Sequence, residues 1–196
     1  MSLLRTFIAV DISPVLQTAI EQSALPLRRE LGNSLVRWVD SRAIHLTLKF
    51  LGDVSPTAIP LLTRALQTEA DLIPAFDLAI GGLGSFPSPR RARVLWVGIQ
   101  APAALEALYR GIESACGRLG YAAEAKPFHP HLTLGRVRQG LSAADGQKIR
   151  RVLEAQTIDY LGTARVDSVH LYKSDLQPSG AVYTRLYSAP LQSNPN

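Results

Sequence analysis

Two spacings of apolar residues alternate along the chain, and each change from one to the other predicts a new element. The run Thr6-Phe7-Ile8-Ala9-Val10 is β-branched and aromatic and reads as a short buried strand. Ser13-Pro14 then supplies a capping hydroxyl and a proline at the first helical position. Leu16, Ile20, Ala24, Leu27 and Leu31 follow at helical spacing, with Pro26 predicting a kink or break and Gly32-Asn33 the end. Val36-Arg37-Trp38-Val39 leads into an alternating strand that starts at His45 and closes at Gly52-Asp53. A second Ser-Pro pair, Ser55-Pro56, opens a helix with Ile59, Leu62 and Leu66 on its inward face.

The second half repeats this order. Residues 76–80 form a predicted strand that runs into a glycine-rich turn at Gly81-Gly82-Leu83-Gly84. Val94-Leu95-Trp96-Val97-Gly98-Ile99 reads as a central strand, and residues 102–119 as a helix with Leu105, Leu108, Ile112 and Cys116 inward and Gly120 as its stop. Another alternating strand starts at His131, and Ser142 with Asp145 opens a further helix through a partial capping box. Two last strands, around residues 166–172 and 182–187, bracket a turn at Pro178-Ser179-Gly180, and the polar tail of residues 192–196 is expected to be loose. Strand, helix, strand, helix thus occurs twice, a repeat of a whole half. It predicts an α+β fold of two similar lobes about a pseudo-twofold axis, with the strands from His45 and His131 facing each other across a central groove.

Composition narrows the reading only a little. A chain of 196 residues, 46% hydrophobic and 19% charged, fits one globular domain, residues 1–196, made of two interleaved lobes. The lone Cys116 excludes a disulfide framework and a cysteine zinc site, which favours a reducing compartment. The start lacks the pattern of a signal peptide and no run is apolar enough to span a membrane, so a cytoplasmic protein without membrane partners is expected. The net charge of +5 is modest, but arginines far outnumber lysines, and the guanidinium fork suits phosphate. A compositional habit would give the same excess. The glycine cluster lacks the spacing and lysine of a nucleotide loop. Arg90, Arg91 and Arg93 could touch an RNA backbone, though a solvated loop is the simpler reading.

The chemistry lies in a tetrapeptide that occurs twice, His45-Leu46-Thr47-Leu48 and His131-Leu132-Thr133-Leu134. Alternation puts His45 and Thr47 on one face and Leu46, Leu48 and Phe50 on the other, and likewise His131 and Thr133 against Leu132 and Leu134. With the leucines in a core, two imidazoles and two hydroxyls converge on one cleft. An ordinary imidazole pKa near 6.5 lets one ring be neutral and the other protonated, a natural general base and acid. Threonine hydroxyls can donate to an anionic oxygen held between them, so a phosphodiester fits.

The stretches His45-Leu46-Thr47-Leu48-Lys49-Phe50-Leu51-Gly52 and Phe128-His129-Pro130-His131-Leu132-Thr133-Leu134-Gly135-Arg136 resemble the two-histidine phosphoesterase superfamily. More narrowly they are similar to the bacterial and archaeal RNA 2′,3′-cyclic phosphodiesterases, also called 2′-5′ RNA ligases. Arg5-Thr6-Phe7-Ile8-Ala9-Val10-Asp11, Leu171-Tyr172-Lys173-Ser174 and Gly180-Ala181-Val182-Tyr183 extend the likeness over nearly the whole chain. The resemblance implies the same bilobed fold, each lobe an antiparallel sheet with helices on its outer face and the active-site cleft between them. It implies metal-independent and cofactor-free hydrolysis of RNA 2′,3′-cyclic phosphate ends to 2′-phosphomonoesters, with reversible 2′-5′ ligation as a further reaction. It makes His45 the proton donor and His131 the acceptor, roles the repeat alone leaves open, and carries Thr47 and Thr133 over as phosphate-binding partners. Arg136 matches an arginine that follows the second motif, but in a regular strand it falls on the leucine face and needs a bulge to reach phosphate.

Other residues weigh less. His129, His131 and His45 are a conceivable zinc set, opposed by Pro130 and by the matched threonines that it leaves unexplained. Phe7 and Trp38 are expected to be buried rather than to stack bases, and His170 to be structural or exposed. The expected partner is RNA with a cyclic phosphate end, transfer-RNA fragments included, acted on by a monomer. Two alternatives stand beside this: a protein that binds RNA termini without turnover, and a cyclic phosphodiesterase for a small nucleotide.

Overall fold

The computed structural model describes residues 2–177 and 180–193. In one half, β1 (Leu4–Asp11) is flanked by β3 (His45–Val54) and β8 (Ser168–Gln177), with β9 (Gly180–Pro190) at the edge. The other half repeats this: β5 (Val94–Gln100) is flanked by β6 (His131–Val137) and β4 (Phe76–Phe86), with β7 (Gly162–Val166) at the edge. A short β2 (Val36–Trp38) pairs with β6, and every pairing is antiparallel. The two expected sheets are therefore halves of one sheet. The motif strands β3 and β6 are neighbours at its centre rather than opposed walls, joined through a single residue pair, Leu46 with Leu132.

Four helices cover the sheet. α2 (Ile59–Ala70) and α3 (Ala103–Arg118) pack on each other and against β3, β8 and β9, while α1 (Pro14–Leu35) packs with α4 (Ala143–Ala155) and against β2 and β7. α1 follows β1 yet covers the other half, and α3 follows β5 yet covers the first. The exchange knits both halves into one continuous core, in which Leu46 and Leu132 are fully buried. Burying each such leucine is worth about 1.5–3 kcal/mol, so the single junction pair is well anchored. Among the described residues no helix is long and apolar enough to cross a membrane.

Several local expectations change. α1 runs through Pro26, which sits on the exposed face of the helix, as does Gln22, the residue whose carbonyl loses its helical partner; the non-helical residue is Gly32, at φ 59°. Residues 81–84 are not a turn, because β4 continues through them with a register shift between Ile80 and Leu83. Two of these glycines make room: a Cβ on Gly84 would collide with the Trp96 ring, and one on Gly81 would stand 2.8 Å from the Asp159 carbonyl. The strand expected around residues 166–172 is two, broken at Asp167, where the chain passes from the edge of one half (β7) to β8 of the other. The loose tail starts later than expected, since Gln192 donates to the Ile73 carbonyl and accepts from Ala75 N–H. Pro178, Ser179 and residues 194–196 lie outside the described residues.

Candidate active site

The open face of the sheet is fixed by two bulges that the chain repeats. On β3 the register against β1 skips Leu48, with Thr47 opposite Ala9 and Lys49 opposite Ile8. On β6 the register against β5 skips Leu134, with Thr133 opposite Trp96 and Gly135 opposite Leu95. Residues beyond each bulge therefore change faces. Phe50, expected in the core with the leucines, instead joins His45 and Thr47 on the open face and is 60% exposed. Arg136 likewise joins His131 and Thr133, by the bulge its placement required. Lys49 turns inward. Its side chain is 3% exposed, and its ammonium pairs with Glu113 at 2.7 Å and donates to the Ala122 carbonyl at 2.8 Å, tying the bulge to α3.

With Leu46 opposite Leu132, the antiparallel register sets His45 across from Thr133 and Thr47 across from His131. The histidines are thus diagonal neighbours about the Leu46–Leu132 pair. Both rings are oriented alike. His45 Nδ1 lies 2.8 Å from the Ala43 carbonyl and His131 Nδ1 2.7 Å from the His129 carbonyl. A carbonyl can only accept, so each Nδ1 carries the hydrogen and each Nε2 is left to gain or lose a proton.

Burial lowers the pKa of both rings from the ordinary value, and their neighbours then differ. For His45 the Ala43 carbonyl and the Asp11 carboxylate push it back up. For His131 the His129 carbonyl pushes up, while the charges of His129 and Arg136 lower it further. Asp11 is the register partner of His45; the corresponding partner of His131 is Gly98. Asp11 is held in turn by the Tyr172 hydroxyl at 2.7 and 2.9 Å and by Arg185, with His170 Nε2 3.6 Å away. Burial and the Asp11 bond push Tyr172 up to about 12, so it remains a donor. Buried Phe7 stacks between His45 and Tyr172, with ring centroids 4.8 and 5.4 Å away, and Tyr183 meets His45 edge-on at 5.1 Å.

On the other side His131 is walled by Phe86 at 4.8 Å and Trp96 at 6.3 Å. His129 also lies edge-on against Phe86 and Trp96, which accounts for its ring through aromatic packing. Among the described residues no group of three or more His, Cys, Asp or Glu side chains is placed to hold a metal ion. His170 is buried, as a structural residue would be, but it also touches Asp11. Cys116 is buried, and burial pushes its thiol up to about 11. Trp38 packs against the core and donates its indole N–H to the Gly32 carbonyl at 3.2 Å. Sequence reasoning missed Asp11, Tyr172, Arg185 and Phe86 as parts of the site. The alternation of β1 carries a signal for Asp11, which falls on the face of Phe7 and Ala9; the other three depend on strand pairing.

A sequence model of the 2′-5′ RNA ligase superfamily matches residues 12–178. The RNA 2′,3′-cyclic phosphodiesterase of Methanothermobacter thermautotrophicus is 30% identical over 181 residues, which is 92% of this chain and 95% of that protein. Among solved structures, TT0787 of Thermus thermophilus is similar with a TM-score of 0.79 at 26% identity, over 96% of this chain and 98% of that one. E. coli LigT complexed with 3′-AMP gives a TM-score of 0.74 at 26% identity, over 96% and 98%.

Proposed function

The chain belongs to the 2′-5′ RNA ligase superfamily, and from that premise we propose that it opens RNA 2′,3′-cyclic phosphate ends by metal-free acid and base catalysis. One observation supports the reading: the two motif strands pair through Leu46 and Leu132, and each motif histidine bonds a backbone carbonyl through Nδ1, which leaves both Nε2 atoms free for proton transfer.

In this reading His131 is the base and His45 the acid. The charges around His131 favour its neutral form, whereas Asp11 favours protonated His45. Neutral His131 Nε2 takes a proton from the attacking water as its oxygen bonds to phosphorus. The bond from phosphorus to the ribose 3′ oxygen breaks, and that oxygen leaves with the proton from His45 Nε2. The products are a 2′-phosphomonoester and a free 3′ hydroxyl, and proton exchange with solvent resets both rings. Thr47 and Thr133 donate to the phosphate oxygens, and Arg136 faces the negative charge that builds there. With a ribose 5′ hydroxyl in place of the water, the same step gives a 2′-5′ linkage. Transfer-RNA halves ending in a cyclic phosphate are one substrate of this kind.

The test is incubation with a short RNA ending in a 2′,3′-cyclic phosphate under excess chelator, with the terminal phosphate read by phosphorus NMR. A 2′-phosphomonoester is the expected product. Intact RNA that is opened only after zinc is added would overturn the mechanism, and RNA bound without turnover would overturn the enzymatic reading.

A further inference from the structure

One end of the half carrying His131 opens into a cleft of ≈ 1070 Å³ whose lining includes Arg91, Arg93, Arg136 and Arg138 and no carboxylate. It continues the catalytic face. Along β6 the open face passes from His131 and Thr133 to Arg136, and the chain goes on to Arg138; on β5 it runs back from Trp96 to Val94, followed by Arg93 and Arg91. Arg136 is three residues from Thr133, about 10 Å of strand at most.

Three features mark the cleft as a place for anions. All four guanidinium side chains are exposed, and among the described residues none is in an ion pair, so no carboxylate neutralises the cleft. On β2, Arg37 stands directly across from Arg136, a like-charge cross-strand pair that an intervening anion would relieve. At the corresponding positions of the other half, the repeat has no arginine: Phe50 stands where Arg136 does, Phe7 where Val94 does and Thr6 where Arg93 does. At these matched positions the arginines thus belong to one half only.

Resting on the function proposed above, we propose that this cleft holds the backbone phosphates immediately upstream of the cyclic end, so that the RNA chain leaves the catalytic histidines across the His131 half. Arg136 spans the reacting phosphate and the first upstream one, and Arg93, Arg91 and Arg138 receive the next. The enzyme then selects an RNA end over a free cyclic nucleotide through contacts with backbone alone, without reading bases.

The experiment compares kcat/KM for a cyclic mononucleotide with that for a tetranucleotide ending in the same cyclic nucleotide, over a range of salt. The proteins are the intact chain, Arg91→Ala/Arg93→Ala and Arg91→Lys/Arg93→Lys; Arg138 is left in place because its Nε bonds the Asn33 carbonyl. The intact chain is expected to prefer the tetranucleotide by roughly tenfold or more, with kcat/KM falling steeply as salt rises. The alanine pair should lose most of that preference and reduce the logarithmic salt slope by about 1.4, the value for two single-strand phosphate contacts, while the lysine pair restores much of both. An unchanged preference and slope in the alanine pair would overturn the cleft assignment. If the intact chain turns over neither substrate, the catalytic reading fails by itself. Fluorescence anisotropy with a labelled tetranucleotide carrying a 3′-phosphate then decides the cleft: weaker binding by the alanine pair supports it, and equal binding overturns it.

Discussion

The half that carries His45 and the half that carries His131 are built alike and furnished differently. Each places its motif strand beside a central strand, skips the second leucine in a bulge, and binds the histidine Nδ1 to the carbonyl two residues earlier. The furnishings then part. Asp11 accompanies His45 where Gly98 accompanies His131; Phe50 matches Arg136; buried Lys49 matches Gly135. The shared frame presents two similar rings, and the unshared neighbours bias them oppositely: Asp11 favours the protonated form of His45, and the charges of His129 and Arg136 favour the neutral form of His131. In the proposed mechanism symmetry supplies the geometry, and its local loss supplies the direction of proton flow.

The largest way to break the comparison is to remove each ring. His45→Ala and His131→Ala are each expected to lower kcat by about 10²–10⁴-fold, measured as 2′-phosphate release. They should differ in pH dependence: His45→Ala loses the alkaline limb of the rate profile and His131→Ala the acid limb.

Next come the two inward positions beyond the bulges. Lys49→Ala leaves Glu113 facing a buried vacancy and should destabilise the fold by about 3–5 kcal/mol, read from denaturant unfolding. Gly135→Ala puts a methyl 2.6 Å from Val36 Cγ1 and 3.1 Å from the Arg37 carbonyl and should cost about 1–3 kcal/mol. Equal effects at both sites would deny that the halves use their bulges differently.

Smaller effects sharpen the electrostatic contrast. Asp11→Asn removes a charge that raises His45, so the alkaline limb should move to lower pH and the acid limb stay in place. Arg136→Gln removes a charge that lowers His131, so the acid limb should move to higher pH, alongside weaker substrate capture. The smallest effect is on stability. Burial lowers His45, His131 and His170 below the ordinary 6.5, so the native state binds fewer protons than the unfolded chain just below that pH. Stability is then full above about 6.5 and falls as acid is added, which melting temperatures at pH 7.5 and 5.5 would report.

Much of this was legible in the chain. Period-two alternation paired His45 with Thr47 and His131 with Thr133, and the order of elements gave the repeat, because both are local patterns. What alternation misplaced depends on pairing between distant segments. Phe50 and Arg136 change faces only because β1 and β5 pair with the motif strands across a bulge, and Lys49 is buried only because Glu113 on α3 meets it. Gly84 reads as part of a turn until Trp96, from the next strand, is seen to occupy the space a Cβ would need. Pro26 reads as a break because nothing in its own neighbourhood tells that it lies on the exposed face of α1. Asp167 breaks what looked like one strand because the two parts belong to different halves of the sheet.

The measurement that goes most directly to the division of labour uses a cyclic substrate whose 3′ bridging oxygen is replaced by sulfur. A thiolate leaves without a proton, so it needs no general acid. His45→Ala should then open the sulfur substrate at a rate within about tenfold of the intact enzyme while remaining crippled on the oxygen substrate, and His131→Ala should stay slow on both. Rescue of His131→Ala instead, or of neither variant, would contradict the assignment of His45 as the acid and His131 as the base.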